Sequence, residues 1–293
     1  MLNRIFLVSV LLLLQYCNVF NKSDNDSNTK NFALVALLAS RTTAGTVCTG
    51  LNSDGSEYTG TGCTASTLYS SFSAIPSYIS YTKGTAQLYS TNGHYYRAVK
   101  TPAGGINWVQ AKKLAESVGG YLATVTSRAE MNFIYDLVKN DSGYWFTWGS
   151  THDYNTSGPF LGGYQPYTET SATTGWKWVS GETFDTTSFN FWYQDGYAYD
   201  LTTKPDNQPN DATGGNQNVT ALGEAPNQYT TYATQNGYTV TAGSQGDYSS
   251  FSGGGVPFAG DFPHTIGSYG ADTSTNGSCY GFIIEYDSAP TDN

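Results

Sequence analysis

Residues 108–124 read Trp-Val-Gln-Ala-Lys-Lys-Leu-Ala-Glu-Ser-Val-Gly-Gly-Tyr-Leu-Ala-Thr, and this stretch decides the fold. Asn107 precedes it and Gln110 stands three residues later, a pairing typical of a capping box, which predicts that a helix begins here. Apolar residues then recur at helical spacing, namely Trp108, Ala111, Leu114, Ala115 and Val118. Gly119-Gly120 predicts the end of the helix, because glycine takes the left-handed conformation at no steric cost.

A short strand and a second helix follow directly. Residues 121–125 are predicted to be the strand. Ser127, with Glu130 three residues on, predicts another helix start. The residues of this helix that would face inward are Met131, Ile134, Tyr135 and Val138. The residues alone therefore predict a compact helix-strand-helix core.

Composition limits the class of partner. The 293 residues allow one large domain or two small ones, and the 24 tyrosines and 33 glycines favour short strands joined by polar loops. The formal charge of −10 argues against a nucleic-acid or anionic-membrane surface, because no basic patch could displace phosphate counterions. Exposed tyrosines would suit sugar faces or protein partners, whereas others would simply fill half-buried strand positions.

The first residues predict export. Residues 5–14 are almost wholly apolar, and this run is shorter than the ~20 residues that a membrane-spanning helix needs. We therefore predict a signal peptide over residues 1–17.

Cys17 stands where a bacterial lipoprotein would be cleaved and acylated. Leu14 occupies the expected third place before it, and residues 18–43 are predicted to form a flexible tether. Tyr16 departs from the pattern, which has a small residue there. A surface lipoprotein anchored at Cys17 is one prediction, and a secreted protein in which Cys17 is an incidental thiol of a cleaved peptide is the other.

Cys48 and Cys63 flank a loop rich in Gly, Ser and Thr. Two cysteines this close in an exported chain are predicted to pair. Closing such a loop contributes about 3 kcal/mol in the chain-entropy model. Residues 44–85 are thus predicted to be a small segment that precedes the main domain and is cross-linked by this disulfide. Cys279 has no predicted partner.

The order and spacing of residues 108–130 resemble the first half of a C-type lectin-like domain. That family reads Trp, Ala three residues later, Cys four after that, Gly-Gly, Leu-Ala-Thr and Glu. This chain has Trp108, Ala111, Ala115, Gly119-Gly120, Leu122-Ala123-Thr124 and Glu130 in those places. The resemblance implies an α+β fold, with two helices packed on short antiparallel sheets and a long loop region.

Further matches extend the resemblance over residues 86–287. Residues 94–99 would be the first strand and residues 281–286 the closing strand, which pair in the family. Residues 145–149 and 175–181 resemble the family's Trp-Ile-Gly and Trp-Trp-Ser-Asp-Gly stretches.

The family's disulfide cysteines are absent here. Ala115 and Ile284 replace the cysteine pair of the helix and last strand, and Asn218 replaces a cysteine of the second disulfide. Losing both partners of a pair leaves an ordinary apolar contact. Stability is therefore predicted to come from an aromatic core, as in disulfide-poor bacterial members.

Sugar-binding members carry a Glu-Pro-Asn or Gln-Pro-Asp triplet, an acid six residues later and a distal Asn-Asp, which together hold calcium and two sugar hydroxyls. The corresponding stretch here is Gln208-Pro209-Asn210-Asp211, with Asn216 in register. The implied calcium ligands are Gln208, Asn210, Asn216 and Asp261. Amides carry no negative charge to offset dehydration of the ion, so calcium binding is predicted to be weak or absent.

The resemblance implies a ligand site in the loop 192–216, and it indicates no particular sugar. The implied contact residues are Gln208, Asn210, Asp211, Asn216, Trp192, Tyr193, Tyr197 and Tyr199. The three tyrosines belong to an insertion at 193–207, and a second insertion spans 224–256. The tyrosines of the first insertion would stack on sugar rings, or the insertions would form a protein-binding rim. Alternatively, the insertions are mobile loops without a binding role.

No catalytic motif is recognisable. The sequence has no Gly-x-Ser-x-Gly, His-Glu-x-x-His or phosphate loop, and its histidines, His94, His152 and His264, are scattered. The sequence therefore predicts an exported, non-catalytic binding module that recognises carbohydrate. The alternative is a calcium-independent adhesin of the same fold that binds a host or envelope protein.

Overall fold

The computed structural model describes residues 46–48, 50–60, 62–102, 105–147, 156–185, 189, 191–192, 209, 217–225, 256–264 and 279–291. All of them belong to one compact unit, Thr46–Asn293. The predicted signal peptide (1–17), with Cys17, and the predicted tether (18–43) lie outside the described residues.

The described part of the chain is mostly sheet, with two α-helices. The strands are β1 (Thr46–Val47), β2 (Gly50–Leu51), β3 (Glu57–Tyr58), β4 (Cys63–Thr64), β5 (Thr82–Lys83), β6 (Gln87–Tyr89), β7 (His94–Lys100), β8 (Tyr121–Leu122), β9 (Phe146–Thr147), β10 (Thr156–Tyr164), β11 (Lys177–Trp178), β12 (Gln217–Ala225), β13 (Val256–Pro263) and β14 (Gly281–Tyr286). The helices are α1 (Trp108–Ser117) and α2 (Arg128–Asp136). No helix in the described ranges is long and apolar enough to cross a membrane.

The predicted start of α1 is confirmed. The Asn107 side chain accepts from the Gln110 N–H at 2.9 Å, and the Asn107 N–H donates to Gln110 Oε1 at 2.9 Å. Gly119 has φ +77°, so the residue that ends the helix adopts the left-handed conformation. Trp108 is fully buried, and its Nε1 donates to the Leu161 carbonyl at 2.8 Å, which ties the helix to β10.

The second predicted helix is also present, and its cap differs in detail. The Ser127 hydroxyl accepts from the Glu130 N–H, as predicted, but the Glu130 carboxylate accepts from Thr126. The preceding strand is shorter than the predicted 121–125. It ends because the Thr124 N–H donates to the side chain of Glu285 at 2.8 Å and not to a strand carbonyl.

The first and last strands pair, as predicted. β14 runs antiparallel to β7, with Ile283 opposite Ala98 and Glu285 opposite Tyr96. The strand order is β13-β12-β10-β14-β7-β5 in a ten-stranded sheet, with β6, β8, β9 and β11 at its sides. The sheet is larger than the short antiparallel sheets expected, and it is not wholly antiparallel, because β10 lies parallel to β14.

Both faces of β14 are covered. Phe282, Ile284 and Tyr286 face the cluster that contains α1, while Ile283 faces the cluster that contains α2. This alternation follows from the two-residue period of a strand. Ala115 and Ile284 both lie fully buried in the first cluster.

Residues 46–85 share this core. Cys48 and Cys63 form a disulfide with a Cα–Cα distance of 5.0 Å. Near it, Gln110 Nε2 donates to the Thr67 carbonyl at 2.7 Å. Three further side chains of this segment join the α1 cluster, namely Leu51, Tyr69 and Phe72. Cys279 is a buried free thiol, and burial raises its pKa.

Candidate functional site

The segment between β11 and β12 is anchored to β13 at the two residues that begin the predicted ligand loop. The Ala259 N–H donates to the Phe191 carbonyl at 2.8 Å, and Trp192 forms a parallel bridge with Ala259. The described base of the loop is therefore held by the backbone of the sheet. Loops that carry binding residues are commonly positioned in this way by a rigid scaffold.

Aromatic rings pack beneath this anchor. Trp176 and Trp192 meet edge to face with centroids 4.8 Å apart, and Trp178 stacks on Phe184 at 4.5 Å. The Phe191 ring lies 4.9 Å from Trp192. Such pairs add to the stability that burial of the rings provides. Trp192 is only 8% exposed, so the contribution seen here is to packing, and its role as a ligand contact stays a prediction.

Asp261 lies on the strand to which the loop is anchored. It faces Thr220 of β12 across the ladder and is 1% exposed. It follows Ala259 by two residues, so the two side chains lie on the same face of β13. The candidate distal calcium ligand therefore lies on the strand whose backbone anchors the start of the loop, and it is buried.

Most of the predicted loop ligands lie outside the described residues. These are Tyr193, Tyr197, Tyr199, Gln208, Asn210, Asp211 and Asn216. Pro209 is described and buried. In the described ranges, no group of three or more His, Cys, Asp or Glu side chains is placed to hold a metal ion. The calcium site and the loop contacts stay predictions.

A buried polar network joins β7, β14 and α2. The Tyr96 hydroxyl lies 2.5 Å from Glu130 Oε1 and 3.0 Å from Glu285 Oε1. His94 Nδ1 lies 2.6 Å from Glu285 Oε1. Asn92 Nδ2 lies 2.9 Å from both Glu130 Oε1 and the Tyr96 hydroxyl. Both carboxylates therefore lie within hydrogen-bond distance of the Tyr96 hydroxyl, and the network connects β7, β14 and α2.

Burial dominates the electrostatics of this network. It raises the pKa of Glu285, although the hydrogen bonds from His94 and Thr124 act in the opposite direction. Burial opposes the charge on His94, but the hydrogen bond and the negative charge of Glu285 outweigh it, so the pKa of His94 is raised. Burial and the nearby carboxylates raise the pKa of Tyr96.

Sequence reasoning missed this network. It recognised Glu130 as a helix-cap residue and as part of the family motif, and Glu285 only as part of the closing strand. The available signal was the register of β7 on β14, because pairing Tyr96 with Glu285 brings the phenol and the carboxylate together.

A second His–Glu contact links the disulfide segment to β13. His264 Nε2 lies 3.5 Å from Glu57 Oε1, and both side chains are almost fully buried. The Ser66 hydroxyl donates to Glu57 Oε1 at 3.0 Å, and its N–H donates to Glu57 Oε2. On its other side, His264 Nδ1 lies 3.0 Å from Asn218 Oδ1. His264 therefore connects β13 to the disulfide segment from a buried position.

Comparison with known proteins adds little. No protein-family model matches the chain, and no curated protein matches it. Two solved structures of human lithostathine are similar, one at 16% identity over 69% of this chain and 87% of that chain, and one at 15% identity over 69% and 95%. The TM-score is 0.32 for both, which does not establish a common fold.

Proposed function

We propose that this chain is an exported, non-catalytic binding module of C-type lectin-like fold that recognises carbohydrate through the loop 192–216. The observation that carries the proposal is the anchoring of Phe191 and Trp192 to Ala259 on β13. This contact joins the start of the loop through its backbone to β13, the strand that also carries Asp261.

The arrangement of the scaffold supports the C-type lectin-like assignment. The first and last strands pair at the centre of the sheet, and α1 and α2 cover its opposite faces. The segment that contains the predicted ligand loop follows β11 and ends at β12, which pairs with the anchoring strand β13. A sheet in which β7 and β14 pair is a rigid scaffold, and a variable loop on such a scaffold can bind ligands.

Calcium is proposed to contribute weakly or not at all. Calcium requires six to eight oxygen ligands, and carboxylates increase its affinity. The proposed set has amides at Gln208, Asn210 and Asn216 and one carboxylate, Asp261, which is 1% exposed.

Export is supported by the apolar residues 5–14 and by the disulfide between Cys48 and Cys63, since disulfides persist in oxidising compartments. We propose a cell-envelope or surface location with acylation at Cys17. Expression in a bacterial host with radiolabelled palmitate would test the anchor. Label in the wild type but not in Cys17→Ser is expected, and equal labelling would exclude Cys17 as the site.

The main test is a glycan array with purified protein lacking residues 1–43, run with calcium and with chelator. Gln208→Ala and Asn210→Ala are expected to abolish glycan capture, whereas Gln87→Ala, an exposed change on β6, is expected to leave it intact. Thermal melting with and without calcium measures any metal dependence separately.

Three results would redirect the proposal. Glycan capture that survives both loop substitutions would place the site elsewhere. Absence of glycan binding, combined with protein adhesion that is lost on deletion of 193–207, would favour the protein-binding adhesin. Turnover of a glycoside by the purified protein would contradict the non-catalytic assignment.

A further inference from the structure

A pocket of about 230 Å³ opens at the edge of the sheet away from the predicted ligand loop. It is lined by Ser80, Tyr81, Thr82, Lys100, Thr101, Pro102, Gly143 and Tyr280. These residues come from the start of β5 and the two residues before it, the end of β7 and the two residues after it, the turn that follows α2, and the residue before β14. The loop is anchored on β13, at the other end of the strand order. We propose that this pocket is a separate, metal-independent site for one ring of a neutral sugar.

The polar side of the pocket contains a fixed charge pair. Lys100 Nζ lies 2.6 Å from Asp141 Oδ2, and Asp141 Oδ1 accepts from the Gly143 N–H at 2.9 Å. The ammonium also lies 5.7 Å from the centroid of the Tyr144 ring. A Cβ at Gly143 would come within 2.8 Å of Lys100 Cδ, so a larger residue there would displace the Lys100 side chain.

This pair favours a neutral ligand. The charges of Lys100 and Asp141 cancel, so the pocket offers a donor and a nearby acceptor without net charge. Adjacent sugar hydroxyls each donate and accept, and they match such a pair. The hydroxyls of Ser80 and Thr82 add further donors and acceptors to the lining.

The aromatic side is provided by Tyr81 and Tyr280. Tyr81 is 38% exposed, and its ring is supported from behind by Phe72 at 5.2 Å. Tyr280 is held by its backbone, whose carbonyl accepts from the Thr101 N–H at 3.0 Å. A supported, partly exposed tyrosine provides an apolar face for the C–H groups of a sugar and a hydroxyl at its rim.

Thr101 points to an occupant. It is 3% exposed, and its hydroxyl has no hydrogen-bond partner in the part of the chain that the structure describes. A buried hydroxyl without a partner is costly. The proposal includes a rotation of the Thr101 side chain on binding, which brings its hydroxyl to a ligand hydroxyl in the pocket. The pocket is smaller than the ~300–1,000 Å³ typical of drug-sized ligands, which suits a single ring.

The test is titration with galactose, glucose, mannose and N-acetylglucosamine in the presence of a chelator, followed by saturation-transfer NMR. At least one sugar is expected to bind, and Tyr81→Ala is expected to lower its affinity about tenfold through loss of the stacking face. Tyr78→Ala is the matched control, because Tyr78 is 79% exposed, lies three residues away and does not line the pocket.

Thr101→Val gives a second, sharper test. Valine has nearly the same shape, so removing an unsatisfied hydroxyl should leave the melting temperature of the free protein unchanged or higher, while sugar affinity falls. A lower melting temperature with unchanged affinity would assign Thr101 a purely structural role and overturn the proposal, as would the absence of binding by all four sugars.

The outcome for this pocket is separable from that for the loop. Tyr81→Ala and Thr101→Val probe the pocket, whereas Gln208→Ala and Asn210→Ala probe the loop. Glycan binding lost only in the loop variants would overturn the pocket and leave the loop proposal standing, and the reverse pattern would do the opposite.

Discussion

Two buried histidine–glutamate contacts join different parts of this molecule, and they differ in geometry. His94 lies 2.6 Å from Glu285 where β7 pairs with β14, and its side chain is 26% exposed. His264 lies 3.5 Å from Glu57, and its side chain is 1% exposed where β13 meets the disulfide segment. The histidine of the first contact is therefore partly exposed to solvent, whereas the histidine of the second is almost completely buried.

His94 in the first contact and Glu57 in the second respond to pH in opposite directions. The pKa of His94 is raised above 6.5, so its contribution to stability is fully present below that value and is lost as the pH rises through the raised pKa. Burial by itself would raise the pKa of Glu57, but the nearby His264 side chain and the hydrogen bonds from Ser66 outweigh it and lower that pKa below 4.5. The contribution of Glu57 is therefore present above 4.5 and is lost as the pH falls through the lowered pKa.

The largest expected effect is removal of the carboxylate at the first contact. Glu285→Ala leaves His94, the Tyr96 hydroxyl and the Thr124 N–H without their common acceptor, and it should lower the free energy of unfolding by about 4 kcal/mol. Urea denaturation measures this value. Asp287→Ala, whose side chain is 78% exposed two residues away, is the matched control and should change stability little. A loss below about 1 kcal/mol for Glu285→Ala would mean that the network contributes little.

Opening the disulfide should weaken the second contact selectively. The double substitution Cys48→Ser with Cys63→Ser releases the loop that carries Glu57 and should cost about 3 kcal/mol. Acid titration of unfolding should then show a smaller contribution from Glu57, while that of His94 is unchanged. Cys279→Ala retains the disulfide and serves as the control. Equal weakening of both contacts would contradict the comparison.

Glu57→Gln tests the second contact without breaking a covalent bond. The variant keeps the size of the side chain but loses the charged acceptor for Ser66, and it should lower stability by about 2 kcal/mol at neutral pH. The difference from wild type should shrink as the pH falls below 4.5. Denaturant melts at neutral pH and at about pH 3 measure it. A stability difference that grows as the pH falls would contradict a lowered pKa for Glu57 in the folded protein.

The smallest effect is expected for His94→Gln. It should cost about 1.5 kcal/mol at pH values below 6.5, where the histidine is charged, and much less at about pH 9. Asp287→Asn should change the pH profile only slightly, because its exposed carboxylate lies 4.0 Å from His94 Nε2. A penalty for His94→Gln that is the same at both pH values would indicate a packing role and not a charge–charge contact.

The two candidate sites also differ in how far the sequence predicts them. The loop site lies within one short stretch, whereas the pocket brings distant residues together. The loop residues Gln208, Asn210 and Asn216 were predicted from the resemblance of one short stretch to the ligand-binding triplet of a known family. The pocket beside Tyr81 was not, because its lining comes from residues 80–82, 100–102, 143 and 280, which no short motif connects. Trp192 was predicted to be a ligand contact from its place before the loop, and its packing against Trp176 is visible only in the folded chain.

The sequence by itself determined the two helices and their caps, because Asn107 with Gln110 and Ser127 with Glu130 are interactions between near neighbours. It also indicated that the first and last strands pair, through its resemblance to a known domain. Only the tertiary structure decided which charged groups meet: His94 and Glu285 are 191 residues apart, and their contact depends on the register of β14 on β7. The physical reason is that a cap is a property of one turn of chain, whereas a buried ion pair requires two distant segments to be fixed by the packing of everything between them.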